Sequence, residues 1–114
     1  MDIQRINPRE WSCNAAVFCD LVFCSGMVAD DKSLDMKGQT AQVLKKIDAV
    51  LAQAGTSKSR ILSATVYMQD ASLKDAMNES WMAWVDRSNL PTRTAVGANL
   101  TPGTMVEITV CAVK

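Results

Sequence analysis

The spacing of apolar residues along the chain predicts a series of strands and two helices. Strand-type runs occupy residues 3–6, 15–19, 21–25, 61–68, 90–96 and 105–110. Apolar positions recur at helical spacing over residues 36–54, and Gly55 supplies a stop signal. A second helix is predicted to run to about residue 88 from Ser72-Leu73-Lys74-Asp75, which resembles a capping box. The element order β-β-β-α-β-α-β-β predicts an α+β fold in which one mixed sheet carries both helices on one face, within a single domain spanning residues 1–114.

Two of these elements have distinctive apolar patterns. The run 21–25 is almost wholly apolar, which predicts a strand covered on both faces, and it is expected to form a hairpin with residues 15–19 around Asp20. The second helix places its large apolar side chains on one stripe, namely Leu73, Met77, Trp81, Trp84 and Val85. Tryptophans at helical spacing are more typical of a core than of a ligand cage, because each buries a large apolar area.

The last two strands are predicted to form an antiparallel hairpin that turns at Thr101-Pro102-Gly103. In a regular hairpin, Gly97 would lie opposite Glu107 and Arg93 would lie opposite Cys111. Arg93 and Glu107 would then share a sheet face, with their backbones about 13 Å apart. This separation suits a pair of side chains that hold opposite ends of a small molecule.

Arg93 and Glu107 are therefore the candidate functional residues. A guanidinium fork is suited to binding a carboxylate. A carboxylate on a sheet face that holds both apolar and polar side chains is unexpected unless it has a role, because burying an unpaired charge costs several kcal/mol or shifts its pKa. The alternative is that Arg93 is a solvated strand residue and Glu107 a charge at the rim of the sheet.

Charge and hydropathy exclude some classes of function. Twelve basic and twelve acidic residues give the chain zero formal charge, so it lacks the field that would attract nucleic-acid phosphates. The first residues show no apolar segment followed by a small-residue cleavage site, and no run approaches the ~18 apolar residues of a membrane span. We expect a cytoplasmic protein with neither a nucleic-acid nor a membrane partner.

The cysteine and histidine content restricts the chemistry further. Cysteines at positions 13, 19, 24 and 111 lack metal-ligand spacing, and the chain contains no histidine. This disfavours the usual zinc sites and removes Ser-His and Cys-His nucleophilic pairs. We expect reduced core thiols, although Cys19 and Cys24 could face each other across the hairpin and form a disulfide. Any general acid or base would be a carboxylate or water.

Several motifs occur in an order that resembles a known family. The pattern P-x-R-x-x-V begins at Pro91, and V-E-I-x-V-x-A follows from Val106. Upstream, the matching segments are Ser25-Gly26, Gln39-Thr40, Ala54-Gly55 and Met77-Asn78 before Trp81. Together they resemble the RidA/YjgF family, also called endoribonuclease L-PSP. The short chain and the Trp-rich second helix look most like the YoaB-like branch.

The resemblance implies a fold similar to chorismate mutase and a homotrimer with the three sheets packed inside and a ligand cleft at each subunit boundary. It implies hydrolysis of reactive enamines and imines, such as 2-aminoacrylate and 2-iminopropionate, to 2-keto acids and ammonia without a metal or organic cofactor. In that chemistry Arg93 would hold the substrate carboxylate and Glu107 would position or activate water. The backbone around Ser25-Gly26 and the side chain of Asn78 would complete the pocket.

Two departures from the family pattern bear on the substrate. Trp11 or Ser12 holds the position of the RidA site tyrosine and becomes a candidate substrate contact, and Ala95 replaces a cysteine two residues after the site arginine. A different imine side chain or weak activity would follow. On the residues alone, Gly26 could simply make a turn and Asn78 could be a solvated helix residue. The rival functions are a non-catalytic binder of small carboxylates and, less favoured by the neutral charge, a ribonuclease or translation inhibitor.

Overall fold

One mixed sheet carries both α-helices in the computed structural model, which describes residues 2–114. The strands are β1 (Gln4–Ile6), β2 (Ala15–Phe18), β3 (Leu21–Cys24), β4 (Met27–Val28), β5 (Ile61–Met68), β6 (Thr92–Gly97) and β7 (Val106–Val113). The helices are α1 (Met36–Gln53) and α2 (Lys74–Trp84), and short 3-10 turns cover Lys58–Arg60 and Ala71–Leu73. No helix among the described residues is long and apolar enough to cross a membrane.

The strand order explains why the sheet is mixed. It runs β1-β2-β3-β7-β5-β6, and β4 also pairs with β7. The β5–β6 pair is parallel, whereas the other pairs are antiparallel. The predicted α+β architecture is confirmed, and the short strand β4 is an addition to it.

The predicted C-terminal hairpin is wrong. β6 pairs in parallel with β5, and β7 pairs antiparallel with the other side of β5, so β5 separates the two strands. The chain crosses over from β5 through α2 and brings β6 back beside β5 in the parallel sense, which the pattern of residues 90–110 alone does not indicate. The turn at Gly103 exists, with φ +82°, but its connection crosses the end of β5, where Gln69 N donates to Met105 O over 3.0 Å.

The predicted first helix is confirmed, and it supplies much of the core. Asp35 caps it by accepting a 2.8 Å hydrogen bond from Gly38 N. The buried positions of its apolar stripe are those the spacing predicts: Thr40, Val43, Leu44, Ile47, Val50, Leu51 and Ala54. These side chains pack against the helix-facing residues of β7, which are Val106, Ile108, Val110 and Ala112.

The start of α2 differs from the prediction. Ser72 does not cap the helix; instead Asp70 accepts from Ser72 N and Oγ and holds the preceding 3-10 turn. The helix ends at Trp84 rather than near residue 88. Trp81 belongs to the core as predicted, but Trp84 is only half-buried and donates to the Asp48 carboxylate over 3.0 Å. The two rings lie 5.5 Å apart.

The sheet face opposite the helices is open, and we call it the open face. β3 is therefore covered on one side only, because Val22 is fully buried whereas Phe23 is 50% exposed. The apolar side chains exposed on the open face are Phe18, Leu21, Phe23 and Val96. The prediction that β3 is covered on both faces is wrong for a single chain.

The cysteines also differ from the expectation of core thiols. None of the four forms a disulfide, and only Cys24 is buried. The β2–β3 hairpin forms as predicted, but it pairs Cys24 with Ala15, and Cys19 lies in the turn. A Cys19–Cys24 disulfide therefore does not form.

Candidate functional site

Arg93 lies on β6 with its guanidinium directed towards α2. Its ladder partner is Ala64, a buried residue of the helix-facing side, so the pleat directs Arg93 to that side as well. Arg93 Nη1 donates to Asn78 Oδ1 over 2.7 Å, and the guanidinium carbon lies 5.1 Å from the centre of the Trp81 ring. The structure thus brings Asn78 to Arg93, as the family pattern implies.

The charge of Arg93 is not compensated by the rest of the described chain. Neither of the salt bridges among residues 2–114 includes it, since these join Lys37 to Glu79 and Lys46 to Asp30. Burial lowers the pKa of the Arg93 guanidinium from its usual value, because desolvation penalises the charged form. The group nevertheless stays protonated at neutral pH. A partly desolvated cation with fixed orientation and no counter-charge is suited to an anionic ligand.

Glu107 lies on β7 and projects to the open face. Its strand neighbours are Tyr67 on β5 and Val28 on β4. The side chain is half-buried and forms neither a hydrogen bond nor a salt bridge with any residue from 2 to 114. A carboxylate in this state can accept a proton or orient a water molecule.

Gly26 makes room for the Glu107 carboxylate. A Cβ built on Gly26 would overlap that carboxylate and lie 3.0 Å from its Cδ. The close approach arises from a β-bulge. Residues 23–27 lie opposite residues 108–111 of β7, so this side contains one residue more than β7 does. A side chain at position 26 would therefore have to displace the end of the Glu107 side chain.

Ser25 connects this bulge to the loop that carries Trp11 and Ser12. Ser25 Oγ donates to Cys13 O over 2.5 Å, and Ser25 N donates to Asn14 O over 2.9 Å. Trp11 is 85% exposed, and the Ser12 carbonyl accepts from Arg9 N. The loop is thus attached next to Gly26 and Glu107, and its tryptophan ring remains available to a ligand or a partner.

The two charged side chains lie on opposite sheet faces, which corrects the expectation that they share one. Arg93 pairs with Ala64 on β5, whereas Glu107 pairs with Tyr67, three residues further along. With strands ~4.8 Å apart and ~3.3 Å per residue, their Cα atoms are roughly 14 Å apart. The expectation assumed that β6 and β7 pair directly in a hairpin. Because β5 lies between them, the pairing of each strand with β5 sets the faces of Arg93 and Glu107, and their three-residue offset directs them to opposite faces.

Known proteins of the same length and fold match this chain closely. A sequence model described as endoribonuclease L-PSP matches residues 3–114. A RutC family protein from Haemophilus ducreyi is 40% identical over 96% of this chain and 95% of its own length. The chain belongs to the endoribonuclease L-PSP family. The RutC family protein YoaB of Escherichia coli is 36% identical over 98% of each chain. The crystal structure of a YjgF family protein from Neisseria meningitidis superposes with a TM-score of 0.97 at 37% identity, covering 100% of this chain and 96% of that one.

Within this endoribonuclease L-PSP family chain, the residues predicted as a site fall into two clusters. The Arg93 cluster also contains Asn78 and Trp81, and the Glu107 cluster also contains Ser25 and Gly26, with the loop of Trp11 and Ser12 attached to it. Sequence reasoning assigned Trp81 only to the core, whereas its ring lies under the Arg93 guanidinium as well. The spacing of Met77-Asn78 before Trp81 was the available signal.

The same family member also has a cavity of about 340 Å³ beside Arg93, which sequence reasoning did not predict. Its apolar walls include Met82 and Leu90, which come from α2 and from the loop before β6. No group of three potential metal ligands converges among the residues that the structure describes. Burial and the neighbouring Cys111 raise the pKa of the Cys24 thiol to about 11, so this cysteine is not a nucleophile at neutral pH.

Proposed function

We propose that this protein hydrolyses reactive enamines and imines of 2-amino acids to 2-keto acids and ammonia. One observation carries the proposal: two half-buried side chains of opposite charge, Arg93 and Glu107, each lack an ionic partner within the described chain. An imino acid offers a carboxylate to the first and an electrophilic carbon, which water can attack, to the second. Membership of the family is consistent with this chemistry.

In this mechanism Arg93 binds and orients the substrate carboxylate. Asn78 and the Trp81 ring hold the guanidinium, so little side-chain freedom is lost when the ligand binds. Positioning contributes strongly to a reaction whose imine carbon is already electrophilic.

Glu107 accepts and returns the protons that move during the reaction. It takes a proton from water as the oxygen adds to the C=N carbon, and that proton is returned to the nitrogen, which yields a carbinolamine. A second transfer moves the hydroxyl proton to the nitrogen, so that the C–N bond breaks, ammonia leaves and the C=O bond forms. Glu107 ends the cycle as it began.

A complete site requires a second copy of the chain in this proposal. The Arg93 and Glu107 clusters lie on opposite faces of one sheet, so one small substrate reaches both only if the Arg93 cluster of one copy meets the Glu107 cluster of the next. Because the two contacting patches differ, the copies associate head-to-tail. An assembly built in this way is closed only when it forms a ring. The exposed apolar side chains of the open face support a homotrimer with the sheets inside.

The proposed assembly predicts a mass of about three times the 12.4 kDa chain mass by light scattering coupled to gel filtration. Phe23→Asp places a charge among the apolar residues of the open face and should shift the mass towards that of one chain. A single-chain mass for the unmodified protein at micromolar concentration would contradict the shared site.

The function itself is tested by following the imine that an amino-acid oxidase releases from its amino acid. The protein should accelerate imine loss and the matching release of ammonia over the spontaneous rate. Binding of keto acids without any such acceleration would leave only a carboxylate-binding protein.

Arg93→Lys should weaken pyruvate binding about tenfold to a hundredfold, because a point charge does not reproduce the bidentate fork and charge-assisted bonds contribute ~1.5–3 kcal/mol. Titration calorimetry measures the change. Arg60→Lys is the matched control, since among residues 2–114 the Arg60 guanidinium donates only to the backbone carbonyls of Val113 and Lys114. Equal dissociation constants for Arg93→Lys and the unmodified protein would remove Arg93 as the carboxylate ligand.

Gly26→Ala should displace the Glu107 carboxylate and lower turnover about tenfold to a hundredfold. Its effect on the free energy of unfolding should stay below about 1 kcal/mol, because the end of a flexible side chain can move aside. Gly97→Ala is the control, as its Cβ would meet Ala71 Cβ at an ordinary 3.6 Å. The close approach of Gly26 would have no catalytic role if both variants kept full turnover.

A further inference from the structure

The cavity beside Arg93 has a polar end and an apolar body. Its lining residues are Asn78, Trp81, Met82, Leu90, Pro91 and Arg93. The guanidinium and the Asn78 amide provide the polar end. The other four side chains are apolar or aromatic, and their positions follow from the end of α2 and the loop that enters β6.

The apolar walls are exposed to solvent. Leu90 is 67% exposed and Met82 is 46% exposed. Two large apolar side chains that flank a partly desolvated cation favour a ligand that joins an anionic group to an apolar chain, because burying such a chain releases ordered water at no electrostatic cost.

The volume argues for a substrate larger than the smallest imino acid. 2-Iminopropionate has about six non-hydrogen atoms, and at the ~30 Å³ that one water molecule occupies in the liquid they would fill at most roughly 180 Å³. The cavity measures about 340 Å³. A three-carbon substrate held at Arg93 would leave part of this space unfilled.

We propose that this cavity receives the side chain of the substrate, and that the preferred substrates are 2-imino acids with a long or branched apolar side chain. The carboxylate binds Arg93 at the polar end, and the side chain lies against Trp81, Met82 and Leu90. This inference rests on the proposed deaminase function and adds the substrate class to it.

The test is titration calorimetry with the linear product series pyruvate, 2-oxobutanoate, 2-oxopentanoate and 2-oxohexanoate. Affinity should rise about threefold to fourfold for each added methylene, as expected for burial of each CH₂ in an apolar wall. Leu90→Ala should flatten the series. Ile3→Ala should leave the series as steep as in the unmodified protein, because Ile3 is similarly exposed but adjoins β1, at the opposite edge of the sheet from β6.

The outcomes separate this inference from the deaminase proposal. A flat series together with normal imine hydrolysis would overturn the inference and leave the function in place. A rising series that Leu90→Ala flattens, without any hydrolysis, would support the cavity and overturn the deaminase. A rising series that Leu90→Ala does not alter, or the absence of any keto-acid binding, would overturn the cavity assignment.

Discussion

Glu107→Gln is expected to lower the rate of imine hydrolysis by ~10² or more while ligand affinity stays within a few fold. Glutamine keeps the length of the side chain and its hydrogen-bonding reach but does not accept the proton of the attacking water. The Glu107 side chain forms neither a hydrogen bond nor a salt bridge with any of residues 2–114, so the substitution should not disturb the surrounding strands.

The experiment compares protein-dependent imine loss with keto-acid binding on the same variant. Glu79→Gln is the matched control, because Glu79 is an exposed helix residue paired with Lys37 at 3.2 Å and lies outside both clusters. The spontaneous rate is subtracted from each trace. Glu107 would have no part in the mechanism if Glu107→Gln hydrolysed imines as fast as the control.

Gln39→Leu is expected to destabilise the protein by about 2–4 kcal/mol, because it leaves buried backbone groups without partners. Gln39 is fully buried in α1. Its Nε2 donates to Leu34 O over 3.1 Å and to Gly103 O over 3.0 Å, and its Oε1 accepts from Met105 N over 3.0 Å. The side chain thus connects the start of α1 to the turn that leads into β7 and Glu107.

Urea denaturation measures this effect, and Gln42→Leu on the same helix is the control. Gln42 is only half-buried and accepts one hydrogen bond, from Asp31 N over 2.8 Å, so its substitution should cost less than about 1 kcal/mol. Similar midpoints and slopes for the two variants would contradict the role assigned to Gln39. A loss of stability confined to Gln39→Leu would show that Gln39 serves the fold.

The bulge at Ser25 and Gly26 meets Glu107, which lies near the other end of the chain, whereas the cavity beside Arg93 is lined by residues between 78 and 93. The family pattern placed Gly26, Glu107, Asn78 and Arg93 in one site but gave no distances between them. The structure shows that they form two clusters, and the open sheet face suggests how a second copy of the chain would unite them.

Local sequence signals were enough to predict the elements that neighbouring residues form. The period of apolar residues predicted α1 to within a residue, and two strand-type runs on either side of Asp20 predicted the β2–β3 hairpin, because helix and hairpin contacts join residues close together in the chain. The order of the family motifs also identified the family and the fold class, which the comparisons confirm.

Only the tertiary structure decided which strands lie side by side. The sequence signals at residues 90–110 describe two strands and a turn. Because the two strands are neighbours in the chain, each is the nearest available pairing partner of the other. The crossover through α2 instead places β5 between them, and one residue of register determines which face a side chain occupies. For that reason Arg93 faces Asn78 and Trp81 rather than Glu107, and a site that a hairpin would place within one chain depends in our proposal on the neighbouring copy.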